Sequence, residues 1–207
     1  MKFTLEKKEI SEALSLVASV AEKRQSIPVL SNILLKAEKE GLTLRATDLE
    51  IELTFKIPKI ELDSKGETTV SARKLADLVR SVPEDTVLTF ELLESQLEIS
   101  ALKFQADFST LPVGDFPVTE ISEFEREVAL PGKELAELIE KTSFAMASQD
   151  VRYYLNGILL EVSPTQINVV ATDGHRLAWA SCKIKTDFID EKIIIPRKSA
   201  IELQKLL

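Results

Sequence analysis

NILLKAEKEGLTLRATDLEIE, residues 32–52, occurs a second time in altered form as GILLEVSPTQINVVATDGHRL, residues 157–177. Ile33, Leu34 and Leu35 fall on Ile158, Leu159 and Leu160, and Ala46-Thr47-Asp48 on Ala171-Thr172-Asp173, each pair 125 positions apart. The register holds well outside the quoted stretch. Phe3 and Leu5 fall on Val128 and Leu130, and Ile10 and Leu14 on Leu135 and Ile139; Arg73-Lys74 falls on Arg197-Lys198 after one slip to 124. Self-similarity at a fixed long period marks a duplicated structural unit. The chain therefore reads as two copies of one domain, residues 1–120 and an incomplete 126–207, with GDFPVTEISEFE (114–125) as the linker.

A weaker period lies inside the first copy. TLEKKEISEALSLV (4–17) resembles TVSARKLADLVRSV (69–82), so that Ile10, Ala13, Leu14 and Val17 fall on Leu75, Leu78, Val79 and Val82. That spacing is the apolar stripe of an amphipathic helix. Each domain is then two half-units of strand, helix and further strands. ILLKA, LTLRAT and IELTFKI follow the first helix; TVLTFELL, QLEISAL and KFQADFS follow the second. The fold class expected is α+β, with repeated domains of two helices packed on antiparallel sheets. Helices are expected at about 7–24, 71–80, 132–141 and 196–205. The second copy stops at IELQKLL, level with the helix that ends near Val82 in the first, and has no counterpart of strands 86–110. A helix without its covering sheet leaves an apolar face open. The sequence is therefore expected to be a piece of a longer protein.

Composition narrows the class. The chain has 207 residues, 44% apolar and 29% charged, which suits a globular protein. No apolar run reaches the length of a membrane span, and MKFTLEKKEI has no signal-peptide core. A single cysteine, Cys182, excludes an internal disulfide and fits a reducing, cytoplasmic setting; in WASCKI it reads as a small buried strand residue. The net charge of −8 argues against a tight grip on nucleic acid unless the basic residues are segregated. They are unevenly placed. The four expected helices carry +1, +2, −1 and +2, leaving −12 for the rest of the chain.

ATDGHRLA (171–178) looks at first like an active site, since it holds the only histidine, His175, between Asp173 and Arg176. An enzyme built on Asp173, His175 and Arg176 is one reading. The twin segment LRATDLEIEL keeps Ala-Thr-Asp but has Leu49 and Glu50 in place of Gly174 and His175, so Asp48 and Asp173 read better as turn residues capping backbone donors. No phosphate-binding glycine loop, zinc-ligand spacing or nucleophile elbow is present. In SQDVRYYLNG (148–157), Gln149 and Arg152 suit hydrogen bonds to phosphates or bases, and Tyr153 and Tyr154 suit stacking on unpaired bases; two core tyrosines are the alternative. Arg24 suits the negative end of the first helix, whereas Arg73 and Arg197 stand at helix starts, where the dipole disfavours a cation. Trp179 and the scattered phenylalanines read as packing residues, and Gly66 as a turn glycine.

MKFT, PVLSNILL, ATDLE, TTVSARKL, STLP..DFP, QDVRYYLNG, ATDGHRLA and IIPRKSAIELQKLL occur in this order, and on them the chain resembles the bacterial DNA polymerase III beta subunit, the sliding-clamp family, over its whole length. The resemblance implies the DNA-clamp fold, in which three such domains per subunit and two subunits in a homodimer ring enclose duplex DNA. This chain would supply the first domain and part of the second, without the third. The resemblance assigns Arg24 to DNA and Gln149, Tyr153 and Tyr154 to the primer-template junction; the recurrence of Arg73 and Arg197 at helix starts, where a cation is disfavoured, points to DNA contact for them and for the adjacent Lys198. It assigns Leu155, Thr172, Gly174, His175, Arg176 and Leu177 to a pocket for short clamp-binding peptides. Implied partners are double-stranded DNA, the DNA polymerase III catalytic subunit, other polymerases, repair proteins and the ATP-dependent clamp loader. No catalysis, cofactor, metal or membrane is implied. The alternative is a truncated clamp-like protein that binds partners without encircling DNA.

Overall fold

The computed structural model describes residues 1–21, 27–102, 104–119, 128–185 and 190–207. The chain divides into two compact units, Met1–Glu120 and Ile121–Leu207. In the first, β1 (Lys2–Glu6) leads into α1 (Lys7–Val20), followed by β2 (Asn32–Glu38), β3 (Gly41–Thr47), β4 (Glu52–Ile57) and the short β5 (Glu61–Ser64). β6 (Gly66–Ser71) then leads into α2 (Ala72–Ser81), β7 (Val87–Leu93), β8 (Gln96–Ala101) and β9 (Phe104–Leu111). The expected helix over 7–24 is described only to Val20, because residues 22–26, Arg24 among them, lie outside the described residues.

The strand order β4-β3-β2-β6-β9-β8-β7-β1-β5 shows how the half-units combine. The leading strand of the second half, β6, pairs with β2 of the first; the leading strand of the first half, β1, pairs with β7 of the second. Each half thus completes the other's sheet. β6 and β9 share only the pairs Thr69↔Leu111 and Val70↔Thr110, so the nine strands are two four-stranded sheets touching at one corner, with β5 added beside β1. In β3 the buried Leu42, Leu44 and Ala46 alternate with the less buried Thr43 and Arg45, as the period of two requires, whereas β2 opens on four buried residues, Asn32 to Leu35. Against the buried faces lie Ile10, Ala13, Leu14 and Val17 of α1 and Leu75 and Val79 of α2. Phe3 of β1 and Phe90 of β7, opposite each other in the ladder and fully buried, stack with centroids 4.8 Å apart and planes 7° apart. Burial of each ring contributes roughly 1.5–3 kcal/mol.

Three expectations are corrected here. Gly66 makes no turn: it opens β6, and a Cβ there would lie 2.8 Å from that of Met1, so the glycine permits a close approach. Lys7 does not belong to a basic helix face. It is buried, its Nζ donating to the Val82 carbonyl at 2.7 Å and to Glu84 at 2.8 Å, which ties the start of α1 to the end of α2. The linker begins later than residue 114, because Val113–Asp115 form one 3-10 turn and Phe116 packs with Val29, Leu34 and Val113.

The second unit contains α3 (Gly132–Ser143), β10 (Gly157–Val162), β11 (Gln166–Thr172), β12 (Leu177–Lys183), β13 (Glu191–Pro196) and α4 (Arg197–Leu206). Its sheet, β12-β11-β10-β13, repeats the order β4-β3-β2-β6 of the first unit at the register read from the sequence. Leu135, Leu138 and Ile139 of α3 and Ala200 of α4 pack against Ile158, Leu160, Ile167 and Val169. Residues 128–131, the counterpart of the β1 segment, form no strand. Cys182 lies on β12, half-buried against this core. Trp179, expected in the packing, points the other way and is 62% exposed, its Nε1 donating to Asn168 Oδ1 at 3.3 Å. Among the described residues no helix is long and apolar enough to cross a membrane.

Candidate nucleic-acid and peptide interface

The Ala-Thr-Asp repeats build one turn twice. In the first unit Asp48 Oδ1 accepts from the backbone N–H of Glu50 at 3.0 Å and of Ile51 at 2.7 Å, while Thr47 Oγ1 accepts from Leu49 N–H at 3.0 Å. In the second, Asp173 Oδ1 accepts from His175 N–H at 3.0 Å and Arg176 N–H at 2.9 Å, and Thr172 Oγ1 from Gly174 N–H at 3.1 Å. Both turns carry a positive φ at the third residue, 77° for Leu49 and 87° for Gly174. The Asp173 carboxylate is thus committed to its own turn. These backbone donors, with the Arg176 guanidinium at 3.0 Å, hold it below the usual carboxylate range. His175 projects into solvent from the turn. Among the described residues no group of His, Cys, Asp and Glu is placed to hold a metal ion.

Arg176 also lies over the Phe144 ring, 5.6 Å from its centroid, within cation–π range. Thr172 Oγ1 donates to the Arg176 carbonyl at 2.7 Å, so both ends of the arginine's backbone and side chain are fixed. Leu177 follows on β12, opposite Thr172 and largely exposed.

The segment 148–156 packs beside this turn. Gln149 has φ 59°, an uncommon conformation for a side chain of its kind. Asn156 holds it there: its Oδ1 accepts from Asp150 N–H at 2.9 Å and its Nδ2 donates to the Asp150 carbonyl at 2.8 Å. The Asp150 carboxylate is bonded by Arg152 through Nε at 3.0 Å and Nη2 at 2.9 Å, with Arg152 N–H adding a third bond at 2.8 Å. That arginine lowers the Asp150 pKa to about 2. A Cβ at Gly174 would lie 3.2 Å from Arg152 Nη2, so the glycine serves the neighbouring loop as well as its own turn.

Tyr153 and Tyr154 occupy one 3-10 turn (Tyr153–Leu155), with rings edge-to-face at 6.0 Å. Both face solvent, Tyr153 at 82% exposure, whereas Leu155 next to them is buried. Arg197 opens α4; its N–H donates to the Asn156 carbonyl at 2.8 Å and its Nη1 to the Met146 carbonyl at 3.1 Å. Arg73, its counterpart on α2, behaves differently. Its side chain is 90% exposed and only 3.8 Å from Asp77 at its closest. Lys74 beside it is exposed, and Lys198 is half-buried.

Gln149, Asp150, His175, Arg176 and Arg197 line one open concavity of about 480 Å³ in the second unit. Residues assigned on sequence to DNA and residues assigned to a peptide pocket therefore share a wall. Asn156, which organises that wall, was not singled out from the sequence. The signal was its position just before the Gly-Ile-Leu-Leu strand, where the first copy has Ser31.

Comparison with known proteins agrees with the geometry. The description "DNA polymerase III beta subunit, N-terminal domain" matches residues 1–120, and the central domain of the same subunit matches residues 129–207. The chain belongs to the DNA polymerase III beta subunit family. The beta sliding clamp of Pseudomonas putida is 45% identical over 208 residues, a match covering all of this chain and 57% of that protein. The crystal structure of the DNA polymerase III subunit beta from Pseudomonas aeruginosa superposes with a TM-score of 0.94 at 42% identity, covering all of this chain and 56% of that one. A sliding clamp from the same organism, bound to griselimycin, gives 0.92 at 42% identity with the same coverage. The chain spans a little over half the length of these relatives.

Proposed function

We propose that this chain is the first domain and part of the second of a DNA sliding clamp, the non-catalytic processivity factor of a replicative polymerase. The observation that carries the reading is the twofold use of one half-unit with Arg-Lys in the first turn of its helix, at Arg73-Lys74 and Arg197-Lys198, in a chain of net charge −8. Cations gathered on helices of an otherwise acidic protein attract the phosphate backbone without fixing many contacts, which permits sliding. Residues 1–120 form clamp domain 1 and residues 126–207 an incomplete domain 2. Two full-length subunits close a homodimer ring in the cytoplasm, opened by the ATP-dependent loader.

Within this reading Arg24, Arg73, Arg197 and Lys198 meet duplex phosphates, and Gln149, Tyr153 and Tyr154 meet the primer-template junction, the exposed tyrosines stacking on unpaired template bases. Leu155, Thr172, Gly174, His175, Arg176 and Leu177 receive short peptides from the polymerase III catalytic subunit, other polymerases and repair proteins. The griselimycin-bound relative supports a ligand site on clamps of this kind.

The deciding experiment measures binding of the 207-residue protein to primed and fully duplex DNA at several salt concentrations. Binding weakens with salt, and primed DNA is preferred. Tyr153→Ala with Tyr154→Ala removes that preference by about tenfold, as loss of one stacked base predicts. An unchanged preference overturns the assignment of the tyrosines, and no salt-dependent binding overturns the DNA reading. A second reading, a clamp-like protein that binds partners without encircling DNA, is favoured by one observation: Lys7 is buried and Lys8 is paired with Glu6 at 2.6 Å, so α1 offers little free positive charge among the described residues.

A further inference from the structure

In the first unit α1 and α2 pack together beside an open concavity of about 380 Å³. Hydroxyls and small side chains line it, Ser15 and Ala18 of α1 and Ser71 and Ala76 of the second half-unit, together with Arg73, Asp77 and Arg80 of α2. Asp77 is shared between the two arginines. Its Oδ2 lies 3.8 Å from Arg73 Nε, one turn back, and its Oδ1 accepts from Arg80 Nη1 at 3.1 Å, three residues on. All three side chains are exposed. Helix stability accounts for only part of this arrangement. The order Asp77 then Arg80 suits a helix, but the order Arg73 then Asp77 is the less favourable one. An aspartate is also a poor helix former in mid-helix, and exposed ion pairs stabilise little. At the repeat register the second unit keeps the arginine, Arg197, but has Ile201 and Gln204 in place of Asp77 and Arg80. There a backbone carbonyl, that of Met146, holds the guanidinium without offsetting its charge.

Resting on the DNA reading above, we infer that Asp77 is a positioning residue that limits the grip of the first unit on duplex phosphates. Its carboxylate occupies the guanidinium edges with which Arg73 and Arg80 would otherwise fork onto phosphate oxygens. The small side chains of the concavity let a duplex backbone come close to both arginines. A phosphate arriving there competes with a carboxylate already in place, so each contact is weak and exchanges readily. The shared pairing also reduces two positive charges to a net of one. A sliding protein benefits, because every phosphate contact it fixes must break at each step along the duplex. The two units then meet DNA in unlike ways: Arg197 is anchored with its charge intact, whereas Arg73 is exposed and partly neutralised.

The test compares the 207-residue protein with its Asp77→Asn variant in binding a fully duplex oligonucleotide across a salt series. Asp77→Asn tightens binding at about 50 mM salt at least about threefold, and steepens the slope of log affinity against log salt by about 0.9 for each arginine released. Asp63→Asn, the same change of charge at an exposed position on β5, leaves that slope unchanged. Asp77→Glu, which keeps a carboxylate within reach of both arginines, restores the weaker binding. With Arg73→Ala and Arg80→Ala in place, Asp77→Asn no longer alters the slope, since it acts through those two guanidiniums. An equal gain in that background overturns the inference, because the carboxylate then acts by general repulsion alone. Duplex binding by the unaltered protein with the same slope in Asp77→Asn overturns it as well, and leaves the DNA reading standing. Absence of salt-dependent binding in every variant overturns the DNA reading and this inference together.

Discussion

The Asp150 carboxylate and the Arg152 guanidinium, two residues apart, meet through two side-chain hydrogen bonds of 3.0 and 2.9 Å beside the bare face of Gly174. The depressed pKa of Asp150, about 2, is the electrostatic signature of that pair. A carboxylate whose folded pKa lies below its unfolded value contributes stability above the unfolded value, near 4, and loses it as pH falls through the folded one. The contribution therefore disappears between about pH 4 and pH 2. Carbon-13 NMR of the Asp150 carboxyl is expected to titrate near 2, and in Arg152→Ala to move up towards the ordinary value. An unmoved midpoint would show that the arginine is not the cause.

The two Ala-Thr-Asp turns predict opposite responses to one kind of change. Gly174→Ala places a Cβ against Arg152 at a φ of 87° and should destabilise the second unit by about 1–2 kcal/mol. Leu49→Gly relieves a non-glycine residue at φ 77°. The gain is offset in part by glycine's extra freedom when unfolded, for a net stabilisation of roughly 0.5–1 kcal/mol. Denaturant midpoints should shift in opposite directions; shifts of the same sign would contradict the shared turn geometry.

Asn156→Ala removes both bonds that hold the backbone of Asp150. A loss of about 1–3 kcal/mol is expected from the unsatisfied groups. Its specific readout is local: the Asp150 amide should exchange faster and Gln149 should leave its left-handed conformation, while the sheet amides of β11 stay protected. Asn156→Asp retains the acceptor and should preserve the Asp150 N–H bond alone.

Phe3→Ala leaves a cavity beside Phe90 at the pairing of β1 with β7. The cost expected for a fully buried phenylalanine is about 3–5 kcal/mol, measured as the shift of the first unit's denaturant transition. A shift below about 1 kcal/mol would mean that the ladder, rather than the ring stack, sets the stability there.

Much of the fold was legible because the repeat carries its own register. Ile33, Leu34 and Leu35 named one strand, and their twins named another with the same neighbours. What escaped has physical reasons. β5 is four residues, ELDS, mostly exposed and without apolar alternation. Val113–Phe116 looked like linker because Pro, Gly and Asp surround it, yet its two apolar residues reach a seat that only the folded sheet creates. Trp179 was misread because an outward apolar row and a core row have the same period of two. Lys7 resembled other helix-face lysines, and only the loop after α2 shows why it is buried. At the site, exposure of Tyr153 and Tyr154 agreed with the motif, but Asn156 acts through geometry that composition does not reveal.

The exchange of leading strands has a consequence for synthesis. β1 is made well before the strand it pairs with, β7, which emerges some eighty residues later. Until then Phe3 and Leu5 have no ladder, and the sheet of β2, β3 and β4 awaits β6. Distant pairings form slowly because a long loop must close before any contact rewards it. The nascent first unit therefore stays open until its second half has left the ribosome, and a half-unit released alone would carry two unfilled sheet edges. Two such halves, each lending its first strand to the other, make the smallest closed assembly this sequence pattern allows.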